Sequence, residues 1–243
     1  MEVVIFCGGK GTRLKPYLKE LPKPLILIGD RSILWHIMKR FSKYGHKQFI
    51  LCLGYMGEKI KEYFQNSYNI EEDWEIKFVD TGLESNKGER LKKVENLIKG
   101  DTFFVSYGDD ISDVEIDGLL NFHLKNKKIA TLTAVNPISE FGIIEIAKDG
   151  VIQEFKEKPK MKYWINGGYF VFNKQIFDYI KDGWDLEKET FKSLVDKKQI
   201  NAFKHFGFWA CMNTFKDVIS LNEMWNKNEL KRILYTNIEK KRN

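Results

Sequence analysis

The chain has 243 residues and a formal net charge of +6; 43% of its residues are hydrophobic and 30% are charged. That composition excludes disordered and collagen-like chains, and no apolar run approaches the ~20 residues of a membrane span. Lysines and acids alternate, as in "KIKEYF" and "EFKEKPK", which describes a solvated surface and not a basic stripe, so small anions are expected partners while nucleic acid and membranes are not.

The first segment, "EVVIF" (2–6), is a short apolar run suited to a buried parallel strand. A loop rich in glycine and lysine follows, "GGKGTRLKPYLKELPKP" (8–24). Over 32–45, Leu34, Ile37, Met38 and Phe41 recur at helical spacing, with Ser32 as N-cap and Gly45 as stop. Next come a strand in "KQFILCLG", a helix in "GEKIKEYFQ" and a strand in "WEIKFVD". The spacing predicts a helix over "ERLKKVENLIKG", ended by Gly100, and a strand in "DTFFVSYGD". A helix in "VEIDGLLNFHLKNK" and a strand in "IATLTAV" complete the first half.

After Asn136 the alternation changes. "FGIIEIAKDGVIQEFKEKP" reads as a hairpin turning at Asp149–Gly150. "YWINGGYFVFN" is a strand, "KQIFDYI" and "KETFKSLVDKK" are helical, and "QINAFKHFG" is extended. In the tail, Leu230, Ile233, Leu234 and Ile238 are spaced as one face of a helix. The expected fold is α/β and Rossmann-like: a mostly parallel mixed sheet flanked by helices, with a small α+β appendage in the second half. One domain over 1–243 is expected, in three stretches: 1–135, 136–225 and a C-terminal helix (226–243).

The loop after the first strand is where an open α/β sheet binds ligands, and its glycines let backbone approach phosphate. Two common phosphate loops fail on spacing. The dinucleotide fingerprint would need glycine where Leu14 stands, and the P-loop would need Ser or Thr where Gly11 follows Lys10. The three cysteines, Cys7, Cys52 and Cys211, are scattered and suggest neither a disulfide framework nor a zinc site. With no leader pattern at the start, a cytoplasmic protein with reduced thiols is expected. The four histidines are scattered too, and none is assigned a role.

"GGKGTRL" followed by "PKP" resembles the signature of the sugar-1-phosphate nucleotidylyltransferases, above all their cytidylyltransferases. Further segments match in order, among them "LGYMGEKIKEYF", "VDTG" with "GERLKKV", "YGDDISDVEID", "FKEKP", "INGGYFVFN" and "HFGFWACMNTFKD". The resemblance extends from residue 1 to about residue 225, and it implies a nucleotide-binding half (1–135) and a sugar-phosphate-binding half (136–225). It implies transfer of a cytidylyl group from CTP to a sugar 1-phosphate, with glucose 1-phosphate the expected acceptor, Mg²⁺ the cofactor and a homo-oligomer the assembly.

Roles implied by the resemblance fall on particular positions. Gly8, Gly9, Gly11 and Thr12 match the nucleotide-cradling loop, Arg13 the phosphate clamp and Lys23 the phosphate-contacting lysine. Thr81, Gly82, Gly88 and Arg90 match the stretch that recognises CTP, although Glu89 stands where the relatives have glycine. Asp109 matches the aspartate that holds Mg²⁺. Lys158 matches the lysine that meets the sugar phosphate, with Glu157 beside it, and Asn166 and Gly167 match the sugar-side "NGG". Arg13, Lys23 and Lys158 are the expected catalytic groups. Phe141, Tyr163 and Trp164 are candidates for the acceptor pocket.

Beyond Glu89, the chain departs from the family pattern at two positions of the metal site. Asn213 replaces an aspartate that binds metal, and Asp110 replaces a glycine directly after Asp109. Neighbours in an extended segment point to opposite sides, so Asp110 reaches the metal position only if the backbone bends there. Two classes of reading therefore stand at this point: an active enzyme, using CTP and glucose 1-phosphate or another NTP or phosphate acceptor, and a non-catalytic or regulatory homologue that binds a nucleotide or nucleotide sugar.

Overall fold

All five residues of β1 (Glu2–Phe6) are buried, the reason Val3–Phe6 is an unbroken apolar run instead of an alternation. In the computed structural model, which describes residues 1–12, 14, 20–66 and 72–236, β1 lies near the centre of a seven-stranded sheet. On one side it pairs in parallel with β4 (Gln48–Leu53), which pairs in parallel with β5 (Glu75–Asp80). On the other side it pairs in parallel with β6 (Thr102–Tyr107). Beyond β6 come β11 (Ile165–Asn173), β8 (Ala130–Val135) and β12 (Ile200–His205). Only β11 runs antiparallel to its two neighbours, so the sheet is mixed but mostly parallel.

Alternate side chains of β1 serve two cores. Val3 and Ile5 pack with α1 (Ile33–Ser42), Phe104 and Tyr169 on one face. Val4 and Phe6 pack with Leu91, Phe103, Phe170 and Leu194 on the other. Both faces are covered, as expected, and residues from both sequence halves share the one sheet.

The helices follow their sequence signals closely. Ser32 caps α1 by accepting from the Trp35 amide at 3.2 Å, and Gly45 follows with φ +86. α2 (Gly57–Gln65) and α4 (Ile116–Asn126) lie where their periodicity places them. The helix expected over 89–100 differs: α3 spans Lys87–Lys93, and Glu95–Leu97 is a separate 3₁₀ turn. The cause is Asn86, which with Glu89 forms a capping box and sets an earlier start. The segment Lys174–Tyr179 is 3₁₀, and a wide helical turn over Leu186–Thr190 precedes α5 (Phe191–Asp196).

The expected hairpin is present as β9 (Ile143–Ile146) and β10 (Ile152–Lys156), with Gly150 at φ +88 in its turn. Two short ribbons have no clear sequence signal. One pairs β2 (Leu27–Ile28) with β3 (Arg31–Ser32). The other pairs β7 (Asp110–Ser112) with β13 (Trp209–Cys211). A helix α6 (Phe215–Asn226) follows, opened by a Thr214–Asp217 capping box. The tail is helical in two pieces, α7 (Glu229–Lys231) and a wide turn over Arg232–Thr236, after Asn228 takes a left-handed backbone. Leu230 and Leu234 are buried in the core, with Ile233 packed against it, whereas Ile238 lies outside the described residues. The three cysteines are free thiols. No described helix is long and apolar enough to cross a membrane.

Candidate active site

Strand order reverses at β1, because the chain proceeds from β1 to β4 and β5 on one side and returns to β6 on the other. Phe6 and Tyr107 face each other in register near the carboxyl ends of β1 and β6, and such a reversal is where open α/β sheets hold ligands. A cavity of about 570 Å³ opens there, with Gly8, Gly9, Asp109, Asp110, Asn166 and Arg90 in its lining.

Gly9 has open space where a side chain would sit, and Gly11 takes φ +56, a left-handed backbone that suits glycine. Gly11 also approaches the Lys23 side chain: a Cβ on Gly11 would lie 3.2 Å from Lys23 Cβ. Gly11, Thr12, Lys23 and Asn213 line a second cavity of about 200 Å³. Asn213 belongs to the lining of both. Arg13 lies outside the described residues.

Lys23 opens a 3₁₀ turn between Pro22 and Pro24, and the prolines hold its backbone in place. Its ammonium pairs with Asp109 Oδ2 and donates to Asn213 Oδ1 at 3.0 Å. Residues 86 and 190 positions apart thus meet at one nitrogen.

Asp110 is 2% exposed. Burial first, and the Asp109 charge second, push its carboxyl up to about 8. Burial, with Asp110 and Asp109 beside it, likewise raises the Cys211 thiol far above its ordinary range. Although Asp109 and Asp110 are neighbours in sequence, both line the larger cavity, because the chain bends after β6 and Asp110 starts β7. Ligand atoms of Asp109, Asp110 and Cys211 lie within 4.8 Å of one another. Two carboxylates, one with a buried oxygen that has no partner among the described residues, fit a hard divalent cation. The thiol does not match that preference.

The stretch from 81 to 90 is placed differently from a simple row of ligand contacts. Thr81 is fully buried, and its hydroxyl donates to the Leu53 carbonyl at 2.6 Å. The Arg90 guanidinium donates to Thr81 Oγ1 at 2.6 Å, Leu53 O at 2.9 Å and Gly8 O at 3.1 Å. It braces the floor of the cavity. Gly82 takes φ +91 at the turn after β5, and Gly88 lets α3 pack on the Trp184 backbone, whose oxygen would be 2.2 Å from a Cβ. Glu89 is spent on the α3 cap, accepting from the Asn86 amide at 2.8 Å.

Asn166 joins the cavity wall through a bond from its amide to the Tyr107 hydroxyl at 2.9 Å. Tyr107 in turn bonds Glu187, which pairs with Lys87. Burial, then the Glu187 charge, raises the Tyr107 hydroxyl well above its ordinary range. Gly167 accepts from Trp209 Nε1 at 2.9 Å and packs against Val135. Glu157 and Lys158 do not line this cavity. They form a 3.7 Å pair on an exposed turn after β10, where Lys158 takes φ +45. Phe141 and Tyr163 are exposed, and Trp164 meets Phe206 edge to face. The sequence assigned no role to Lys87, Tyr107, Glu187 or Cys211; Tyr107 and Cys211 lie within matched segments, but these side chains come together only through the tertiary fold and the β7–β13 ribbon.

A Rossmann-like sheet with a glycine loop, a lysine and a pair of acids at its strand-order reversal defines a protein that handles phosphates of a nucleotide. The family model described as "Nucleotidyl transferase" matches residues 2–228, and the chain belongs to that family of enzymes. It is 40% identical to a glucose-1-phosphate cytidylyltransferase of Salmonella typhimurium, covering 93% of this chain and 96% of that one. It is 37% identical to a probable glucose-1-phosphate cytidylyltransferase of Bacillus subtilis, covering 94% and 98%. The crystal structure of HddC from Yersinia pseudotuberculosis complexed with GMP-PN shares the fold, with TM-score 0.72, 21% identity and coverage of 92% and 99%.

Proposed function

We propose that this nucleotidyltransferase converts CTP and a sugar 1-phosphate, glucose 1-phosphate foremost, into a CDP-sugar and pyrophosphate. The observation that carries the reading is the Lys23–Asp109 pair beside the open backbone of Gly9, at the carboxyl ends of β1 and β6. The choice of CTP and glucose 1-phosphate is supported by the 37% and 40% identical relatives, whose names carry that activity.

The reaction is a displacement at phosphorus. A phosphate oxygen of the sugar 1-phosphate attacks the α-phosphorus of CTP, and the bond to the β-phosphate oxygen breaks. Pyrophosphate leaves with that electron pair. Positioning and charge neutralisation supply most of the rate in such transfers. Gly8, Gly9, Gly11 and Thr12 would leave room for the triphosphate against the backbone, with Arg13 clamping it. Lys23 would neutralise charge on the phosphates, and Arg90 would keep the loop of Gly8 in place beneath them. Asn166 and Gly167 would face the sugar, and Glu157 and Lys158 would close on it from the turn after β10.

Asp109 would hold Mg²⁺, which would offset phosphate charge in this cavity. The test is pyrophosphate release with CTP, UTP, dTTP or GTP crossed against a panel of sugar 1-phosphates. The expected result is release only with CTP and a narrow set of acceptors. Binding of CTP with no release from any pair would instead favour a non-catalytic binding protein, the reading that the exchange of an acid for Asn213 supports.

A further inference from the structure

The acid absent at 213 and the acid present at 110 belong to the same cavity. Asn213 is committed: its Oδ1 accepts from the Lys23 ammonium at 3.0 Å, and an amide brings no charge to a cation. Asp110 is committed at one end only, through a hydrogen bond between its carboxyl and the Cys211 thiol. Its side chain is buried, and Oδ1 has no hydrogen-bond partner among the described residues. A buried carboxylate oxygen without a donor is costly unless something binds it.

The surrounding chain makes room for this carboxylate. Gly168 takes φ +76, and a Cβ there would stand 2.1 Å from Asp110 Oδ2. The Tyr169 hydroxyl donates to the Asp110 carbonyl oxygen at 2.9 Å, which anchors the start of β7. Pairing of Asp110 with Cys211 in the β7–β13 ribbon fixes the same position from the other side. The side chain is thereby held within 4.8 Å of an Asp109 oxygen.

We propose that Asp110 is the second acidic ligand of a divalent-cation site shared with Asp109, taking over from position 213. Two adjacent carboxylates make the site selective for a hard cation, Mg²⁺ or Mn²⁺, over Zn²⁺. The inference rests on the nucleotidyl-transfer reading of the cavity, yet its test needs no turnover.

Mn²⁺ binding to the purified full chain, followed by electron paramagnetic resonance without nucleotide, reads the site directly. Asp110→Asn should weaken Mn²⁺ binding ~10-fold or more through the lost charge, and Asp110→Asn combined with Asn213→Asp should recover it. Unchanged Mn²⁺ affinity in Asp110→Asn overturns the proposal, as does equal loss of binding in Cys211→Ser. If Asp110→Asn does not fold, Mn²⁺-soaked crystals of the unaltered protein decide. Anomalous scattering from an ion bonded to the Asp110 carboxylate supports the assignment, and an ion bonded to Asp109 and Asn213 alone overturns it. Failure of the nucleotidyl-transfer reading would show separately, as absent pyrophosphate release in the crossed assay.

Discussion

The Arg90 guanidinium lies directly against the backbone of Gly8: a Cβ on Gly8 would stand 2.1 Å from Nη1, and Nη2 donates to the Gly8 carbonyl at 3.1 Å. The same side chain reaches Leu53 O and Thr81 Oγ1. One residue therefore ties together the carboxyl ends of β1, β4 and β5. A lysine at this position has one nitrogen and cannot span three acceptors. Arg90→Lys should cost about 1–3 kcal/mol through carbonyls left without donors and raise KM for the nucleotide more than it lowers kcat. Thermal unfolding and steady-state kinetics check this; unchanged values in both would show that the brace is dispensable.

Lys23 supplies the positive charge that meets Asp109 and Asn213. Lys23→Met keeps the length of the stem and removes the charge. Turnover should fall ~100-fold or more, the scale of losing one preorganised charge stabiliser, while the fold persists by circular dichroism. Turnover within a few-fold of the unaltered enzyme would remove Lys23 from the mechanism.

Arg13 follows the glycine loop in sequence, and the resemblance assigns it to the phosphates. Replacement by alanine should also lower turnover ~100-fold or more. Near-normal turnover in the purified, folded variant would contradict that assignment.

His36 is buried between the tail and the β2–β3 ribbon, with Nδ1 bonded to the Tyr235 hydroxyl and Nε2 2.9 Å from the Ile28 carbonyl. Burial lowers its pKa from 6.5 to about 4. The unfolded chain then binds the proton more readily than the folded one, so the stability from neutral His36 is complete above pH 6.5 and is lost as pH falls towards 4. The loss is on the order of 3 kcal/mol across that window. Thermal midpoints at pH 7 and pH 4.5 should differ less in His36→Gln than in the unaltered protein. Equal differences would place the acid sensitivity elsewhere.

Leu230 is 0% exposed and belongs to the core beneath α1. Leu230→Ala should destabilise the protein by about 2–5 kcal/mol, the range for deleting a buried leucine side chain. Denaturant titration measures it. A loss below 0.5 kcal/mol, on the scale of ordinary surface substitutions, would mean that the tail is dispensable to the core.

Much of the fold was legible because local patterns carry it. Buried parallel strands such as Glu2–Phe6 read as apolar runs, and α1 announces itself by period, by its Ser32 cap and by Gly45. The Asp149–Gly150 turn is similarly local, since glycine meets its left-handed backbone at low cost. The glycine loop also followed from the sequence, because the loop after a first strand lies at the ligand end of the sheet, whereas the places of Lys23 and Asp109 were implied by the resemblance. Three things were decided only by tertiary structure. Asp110 turns into the cavity because β7 pairs with β13, a ribbon whose strands lie about a hundred residues apart and leave no periodic trace. Arg90 braces the Gly8 loop because parallel pairing brings the ends of β1, β4 and β5 side by side. Tyr107, Asn166, Glu187 and Lys87 form one linked group because β6, β11, α3 and the turn before α5 meet there. Each depends on pairing between distant segments, and a contact of that kind is specified by the whole sheet and not by any window of residues.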